Sequence, residues 1–138
     1  NVNAAKIQGL ELQLDSIMKA WTIGAALTLL SAEQDGGTHD GKELPRRPGE
    51  FLELRIDRAF AKASAGASLF SSGSTYDDLA NTTEIKSYTT IDLRGAYHLN
   101  AAWQIVGKVT NLTDEDYENA SYYRQPGRQF FVGLQWMQ

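Results

Sequence analysis

The chain has 138 residues, no cysteine, and 13 Lys and Arg against 17 Asp and Glu, for a net charge of −4. The length suits one domain. The missing thiols exclude a disulfide framework and a Cys-based metal site, and the acidic balance argues against a nucleic-acid partner, which draws on a basic stripe. No stretch approaches the ~20 consecutive apolar residues of a membrane helix. The opening NVNAAKIQGLELQLD lacks the basic start and apolar run of a signal peptide. Composition is blind, however, to a transmembrane β-strand, whose apolar residues hide in alternation.

Strand period runs from end to end. IQGLELQLD sets Leu10, Leu12 and Leu14 against Glu11 and Gln13. WTIGAALTLLS places Trp21, Ile23, Ala25, Leu27 and Leu29 together. The wider stretch SIMKAWTIGAALTLLSAE also admits a helix, but its β-branched and Gly content favours a strand. EFLELRID sets Leu52, Leu54 and Ile56 against Glu53, Arg55 and Asp57. AKASAGASLF is Ala-rich enough for a helix by propensity, yet Ala63, Ala65, Ala67 and Leu69 alternate with polar residues as in a strand. YTTIDLRGAYHL, WQIVGKVTN and GRQFFVGLQWMQ follow, the last with Phe130, Val132, Leu134 and Trp136 on one side. Together these predict about seven strands.

The links alternate in length. Short ones (DSIMKA, DRAF, LNAA) intervene between long polar ones (EQDGGTHDGKELPRRPG, SSGSTYDDLANTTEIKS, NLTDEDYENASYYRQPG). In an antiparallel meander this puts the links near Ser16, Arg58 and Asn100 at one end and those near Gly37, Asp78 and Asn119 at the other. Short turns on one side and long loops on the other are the habit of an outer-membrane barrel. Glu53, Arg55, Lys62, Asp92, Arg94 and Lys108 charge the polar faces in mid-strand and so must meet water. Trp21, Tyr97, Trp103 and Trp136 lie near strand ends, where an interfacial girdle would sit. The expected fold class is all-β: an antiparallel up-and-down meander of about seven strands, a segment of a transmembrane β-barrel. The alternative is a half-exposed soluble sheet packed on one face, a β-meander binding module.

Candidate chemistry is sparse. His39 and His98 have no partner at ligand or triad spacing, so no catalytic residue, enzyme activity or cofactor is assigned. Asp77 with Asp78, and Asp114 with Glu115 and Asp116, are oxygen donors of the kind calcium takes. They lack EF-hand spacing and read as solvated or turn-forming loop charge, so no metal site is assigned. Tyr122, Tyr123 and Arg124 occupy a long loop, where aromatic and Arg side chains make ligand anchors. Pro45 and Pro48 fix an extended approach to the third strand, with Arg46 and Arg47 facing the lumen or lipid headgroups.

LPRRPGEFLEL, GSTYDD and the long closing segment from YTTIDLRGAYHL to the end resemble the C-terminal barrel strands of TonB-dependent outer-membrane receptors. VTNLTDEDYE is similar to an Asn-Leu-x-Asp-x-x-Tyr signature, carried by Asn111, Leu112, Asp114 and Tyr117. QPGRQFFVGL is similar to a Pro-Gly-Arg-x-Phe entry to the last strand, carried by Pro126, Gly127, Arg128 and Phe130. The resemblance implies a bacterial outer-membrane location and a closing piece, residues 1–138, of a barrel of about twenty-two strands. A plug domain and roughly fifteen more strands would lie outside this chain. It implies as partners membrane lipid, the rest of the barrel and plug, TonB indirectly, and a small-molecule nutrient. The overall pattern is most similar to cobalamin transporters, with ferric-siderophore receptors sharing much of it. The chain departs from the pattern in ending WMQ, with Gln138 where a terminal aromatic is usual. An isolated piece of this kind is expected to self-associate through its open edges and apolar face.

Overall fold

The computed structural model describes residues 4–137; Gln138, the departure noted above, lies outside them. Seven strands form one open sheet in the order β1-β2-β3-β4-β7-β8-β9, every neighbouring pair antiparallel. They are β1 (Ala5–Met18), β2 (Trp21–Gln34), β3 (Glu50–Ala59), β4 (Ala63–Ser72), β7 (Tyr88–His98), β8 (Trp103–Thr110) and β9 (Gln129–Trp136). The short strands β5 (Thr75–Tyr76) and β6 (Glu84–Ile85) pair within the loop between β4 and β7. Both runs that admitted a helix are strands. Tertiary pairing overrides the helix propensity of alanine, as Ala63, Ala65 and Ala67 each face a β7 partner.

The short links are tighter than the sequence suggested. β1 continues past Ser16 to Met18, leaving Lys19 and Ala20 to turn, with Lys19 at φ 53°. β3 likewise runs through Arg58, and the turn falls on residues 60–62. At the third link the Asn100 side chain accepts from the amides of Ala102 (2.9 Å) and Trp103 (3.0 Å), an Asx turn written in one residue.

Paired residues in an antiparallel ladder share a face. One row runs Leu14–Ala25–Leu54–Leu69–Ile91, and the next Ile23–Ile56–Ala67–Leu93–Val109–Phe130. The other face carries Asp15–Gly24–Arg55–Ser68–Asp92 and Thr22–Asp57–Gly66–Arg94–Lys108–Phe131. Leu12, Leu27, Leu54, Ile91, Ile105 and Val132 therefore share the apolar face, as the alternation predicts. Among the described residues nothing covers that face: Leu12 is 54% exposed, Val132 78% and Trp136 59%. Among the described residues the buried apolar side chains are only Ala32, Leu44 and Ile85, all toward the long-loop end. A soluble sheet packed on one face would have its core there instead, so the two-faced wall of a barrel is the architecture. No helix of the described residues is long and apolar enough to cross a membrane, which says nothing of strands.

Aromatic residues mark the short-turn rim. Trp21 opens β2, Tyr97 lies one residue from the end of β7, and Trp103 pairs with Trp136. At the opposite rim the long loops bind one another. The Gln34 side chain donates to the Leu79 carbonyl (2.7 Å), the Arg46 amide to the Tyr76 carbonyl (2.7 Å), and the Glu43 amide to the Asn81 side chain (2.8 Å).

Candidate functional site

The polar face is held by ion pairs that cross strands. Arg94 on β7 grips Asp57 on β3 with two bonds, Nε at 2.8 Å and Nη2 at 2.7 Å, and reaches Ser68 at 3.3 Å. Arg55 lies 3.8 Å from both Asp57 and Asp15, extending the ladder to β1. Lys108 sits 3.3 Å from Asp92. These groups are partly exposed, so their Coulomb energies are modest, while the bidentate Arg94–Asp57 pair adds two charged hydrogen bonds in a fixed geometry. Gly66 makes room for that pair: a Cβ there would lie 2.1 Å from Asp57 Oδ1 and 3.0 Å from Arg94 Nε. An alanine ordinarily gains about 0.5–1 kcal/mol over glycine in a strand. Here the displaced charged hydrogen bonds, about 1.5–3 kcal/mol, win. Gly66→Ala is therefore expected to destabilise the barrel by about 1–2 kcal/mol in urea titration; a gain in stability would show that the pair contributes nothing.

Above the ladder, on the same face, lies a feature the alternation did not single out. Phe51, Phe70, Tyr88 and Tyr117 form a row from the wall into the mouth. Successive ring centroids are 6.2, 6.0 and 4.0 Å apart, and the last pair is stacked at 22°. The Tyr88 hydroxyl donates to Asn119 (3.1 Å). A recess of about 210 Å³ opens beside this row, lined by Arg46, Pro48, Phe51, Thr75, Tyr88 and Glu118. The signal was present in the sequence. Phe51 and Phe70 are large apolar residues on the charged parity of their strands, with Phe70 facing Glu53.

The loop candidates divide. Tyr122 and Tyr123 stand at the tip of the loop between β8 and β9, 94% and 69% exposed. Tyr122 is at φ 67° and donates its amide to Glu118 (3.0 Å). Arg124 pairs with Asp116 and bridges back to Glu118 through the backbone. The aromatic tip is thus presented rather than packed, and it is not part of the Phe51–Tyr117 row. Arg46 is engaged at the mouth: its Nε binds Asp77 at 2.7 Å, and Asp77 also accepts the Ser121 amide (3.2 Å). One carboxylate so ties all three long loops, and the Arg46 hydrogen bond foremost holds Asp77 below the usual carboxylate range.

Asp78 organises the second long loop. Burial pushes its pKa up, but donors from Thr83, Thr82 and Ala80 outweigh this and lower it from 3.8 to about 2. A depressed carboxylate stabilises the fold above its unfolded pKa and releases that contribution as pH falls. Amide protection at Thr82 and Thr83 should therefore hold from neutrality to about pH 4 and be lost between there and pH 2. Asp78→Asn should remove the dependence; an unchanged acid profile in that variant would refute the assignment. In the second acidic group the Asp114 and Asp116 carboxylates are engaged within their loop as well. Asp114 accepts the Arg128 amide (2.7 Å), and the Glu115 amide donates to the Asn111 side chain (2.8 Å). Among the described residues no group of three or more His, Cys, Asp or Glu is placed to hold a metal ion. His39 lies in the first long loop, and His98 closes β7 opposite Gln104.

A family model described as TonB dependent receptor-like, beta-barrel, matches residues 1–112. The vitamin B12 transporter BtuB of Photobacterium profundum is 27% identical, over 96% of this chain and 21% of its own length. A probable TonB-dependent siderophore receptor, PiuA of Acinetobacter baumannii, is also 27% identical, over 88% of this chain and 18% of its own length. The chain thus spans about a fifth of these relatives. The crystal structure of that PiuA superposes with a TM-score of 0.87 at 25% identity, covering 96% of this chain and 22% of PiuA. The closed form of the ferric-catecholate import receptor Fiu from Escherichia coli K12 gives 0.81 at 25% identity, covering 96% and 21%. The family model stops at Leu112, before most of the closing signature, whereas the superpositions continue over nearly the whole chain. A seven-strand antiparallel wall with one apolar and one charged face, matched by that model over most of its length, belongs to the TonB-dependent receptor β-barrel family of the bacterial outer membrane.

Proposed function

We propose that this chain supplies the C-terminal strands of an outer-membrane transporter that takes up a scarce metal-chelate nutrient. The carrying observation is the wall itself: lipid-compatible rows on one face, and on the other a charged ladder leading up to an aromatic mouth. In this reading the remaining strands close the barrel against β1 and β9, a plug domain fills the lumen against the ladder, and TonB acts through that plug. Tyr122, Tyr123 and Arg124 meet the ligand first, and the Phe51–Tyr117 row receives it below. The isolated chain, with two open edges, should self-associate in dilute buffer without detergent. A stable monomer with Leu10, Leu12 and Trp136 exposed would contradict this.

A cobalamin-like ligand is the reading that the sequence resemblance and the BtuB match support. A ferric siderophore is the second, favoured by the aromatic row and by the PiuA superposition. Equilibrium binding of cyanocobalamin and of an iron catecholate to the intact receptor separates them. Each truncation in the row, such as Phe51→Ala, should weaken the true ligand about 3- to 10-fold, the worth of an aromatic contact. Tyr122→Ala should weaken it by at least about fivefold if the tip is an anchor. Binding of neither compound would defeat the nutrient reading.

A further inference from the structure

From the Leu52 level down to the short-turn rim, the lipid-facing rows carry a single charge, Arg58. It pairs with Trp21 on β2 and Ala65 on β4. The position is fixed, because the next amide, Ala59, donates to the Ala20 carbonyl at 2.8 Å, and Phe60 donates to Ala63 at 2.8 Å. The carboxylate next to it in sequence, Asp57, is on the opposite face and taken by Arg94. Among the described residues Arg58 has no acidic partner within 4.0 Å and donates no side-chain hydrogen bond. What it does have is aromatic company. Its guanidinium carbon lies 4.9 Å from the Trp21 ring centroid and 4.7 Å from that of Phe60, and both rings are themselves half-exposed.

Cation–π contacts engage the flat faces of a guanidinium and leave its N–H groups, which lie in the plane, unsatisfied. A cation on the lipid side of a girdle needs an acceptor at that depth. The headgroup layer offers one matched to the guanidinium fork, a phosphodiester. We propose that Arg58, held by Trp21 and Phe60, binds the phosphate of a membrane glycerophospholipid at the short-turn rim. The lipid is the occupant rather than a free anion, because Ile56, Trp21 and Ala65 beside the cation form apolar wall on which an acyl chain can lie. The site fixes the depth and tilt of β3 in the bilayer, and it rests on the outer-membrane placement of the chain.

The test uses the intact receptor, purified and stripped of lipid in detergent. Dihexanoyl phosphatidylglycerol and inorganic phosphate are the probes; native mass spectrometry and the thermal unfolding midpoint are the readouts. The short lipid should be retained and should raise the midpoint. Arg58→Gln should weaken retention at least tenfold, and Arg58→Lys should fall between, keeping charge but losing the fork. Trp21→Leu, which keeps the cation but removes one ring, should weaken it as well. Equal retention by wild type and Arg58→Gln would overturn the site. Equal protection by inorganic phosphate would overturn the lipid as its occupant. Heat-modifiable migration on a gel, checked for each variant, reports barrel folding separately, so failure to form a membrane barrel is distinguished from failure of the lipid site.

Discussion

Leu54→Arg should cost the intact barrel about 2–4 kcal/mol, whereas Glu53→Arg, one residue away, should cost less than about 0.5 kcal/mol. The two positions are neighbours in one strand with the same backbone environment. They differ in the face they present. Leu54 sits in the row Ala25–Leu54–Leu69, midway between the Trp21 rim and Glu50. A guanidinium there must be dragged out of water into hydrocarbon. Glu53 sits between Ala26 and Phe70 on the charged face, where water and the ion ladder are at hand. Urea titration of folding into lipid vesicles measures the difference. Equal costs at the two positions would mean that both faces meet the same solvent.

Asn111→Ala should cost about 2–4 kcal/mol, the largest expected effect outside the lipid face. Asn111 is 5% exposed and follows directly on β8 at φ 49°, a left-handed conformation that asparagine tolerates and alanine does not. Its side chain bridges the loop in both directions. Its oxygen accepts the Glu115 amide (2.8 Å), and its nitrogen donates to the carbonyls of Glu115 (2.8 Å) and Pro126 (3.4 Å). Its own amide donates to Asp92 (3.0 Å), which also faces Lys108. Truncation removes the side-chain bonds to Glu115 and Pro126 at a buried position, and the loop that presents Tyr122 and Tyr123 loses its anchor. Asn111→Gly isolates the two contributions, since glycine keeps the backbone conformation and loses only the bonds. Equal stability of wild type and Asn111→Ala would remove the anchoring role.

The wall was legible in the sequence because a two-residue period assigns every side chain to a face once one is fixed. Leu54 against Arg55, and Leu93 against Arg94, leave no freedom in register. The turns were legible less sharply. Ser16 and Arg58 read as link residues because polar side chains near a strand end resemble turn chemistry, whereas pairing carries both into strands. Arg58 in particular was hidden by this, and its outward position emerges only from the register. The mouth was the least legible part. Its contacts join residues far apart in sequence, such as Gln34 with Leu79 and Arg46 with Asp77, and no local pattern encodes them. The aromatic row crosses three strands and a loop, so its members never adjoin in the chain. Its trace was a breach of alternation at Phe51 and Phe70, large apolar side chains on the charged parity of β3 and β4.

The most direct test of the two-faced wall is site-directed spin labelling in bilayers, favoured by a chain that brings no cysteine of its own. Nitroxides would be placed singly at Leu54, Leu69 and Val132, and at Glu53, Ser68 and Gln104, in the intact receptor. Labels at the first three should relax with dissolved oxygen and ignore a water-soluble nickel chelate, as groups in hydrocarbon do. Labels at the second three should respond to the chelate. The same response to nickel at Leu54 and Leu69 as at Glu53 and Ser68 would place both faces in water and contradict the membrane wall.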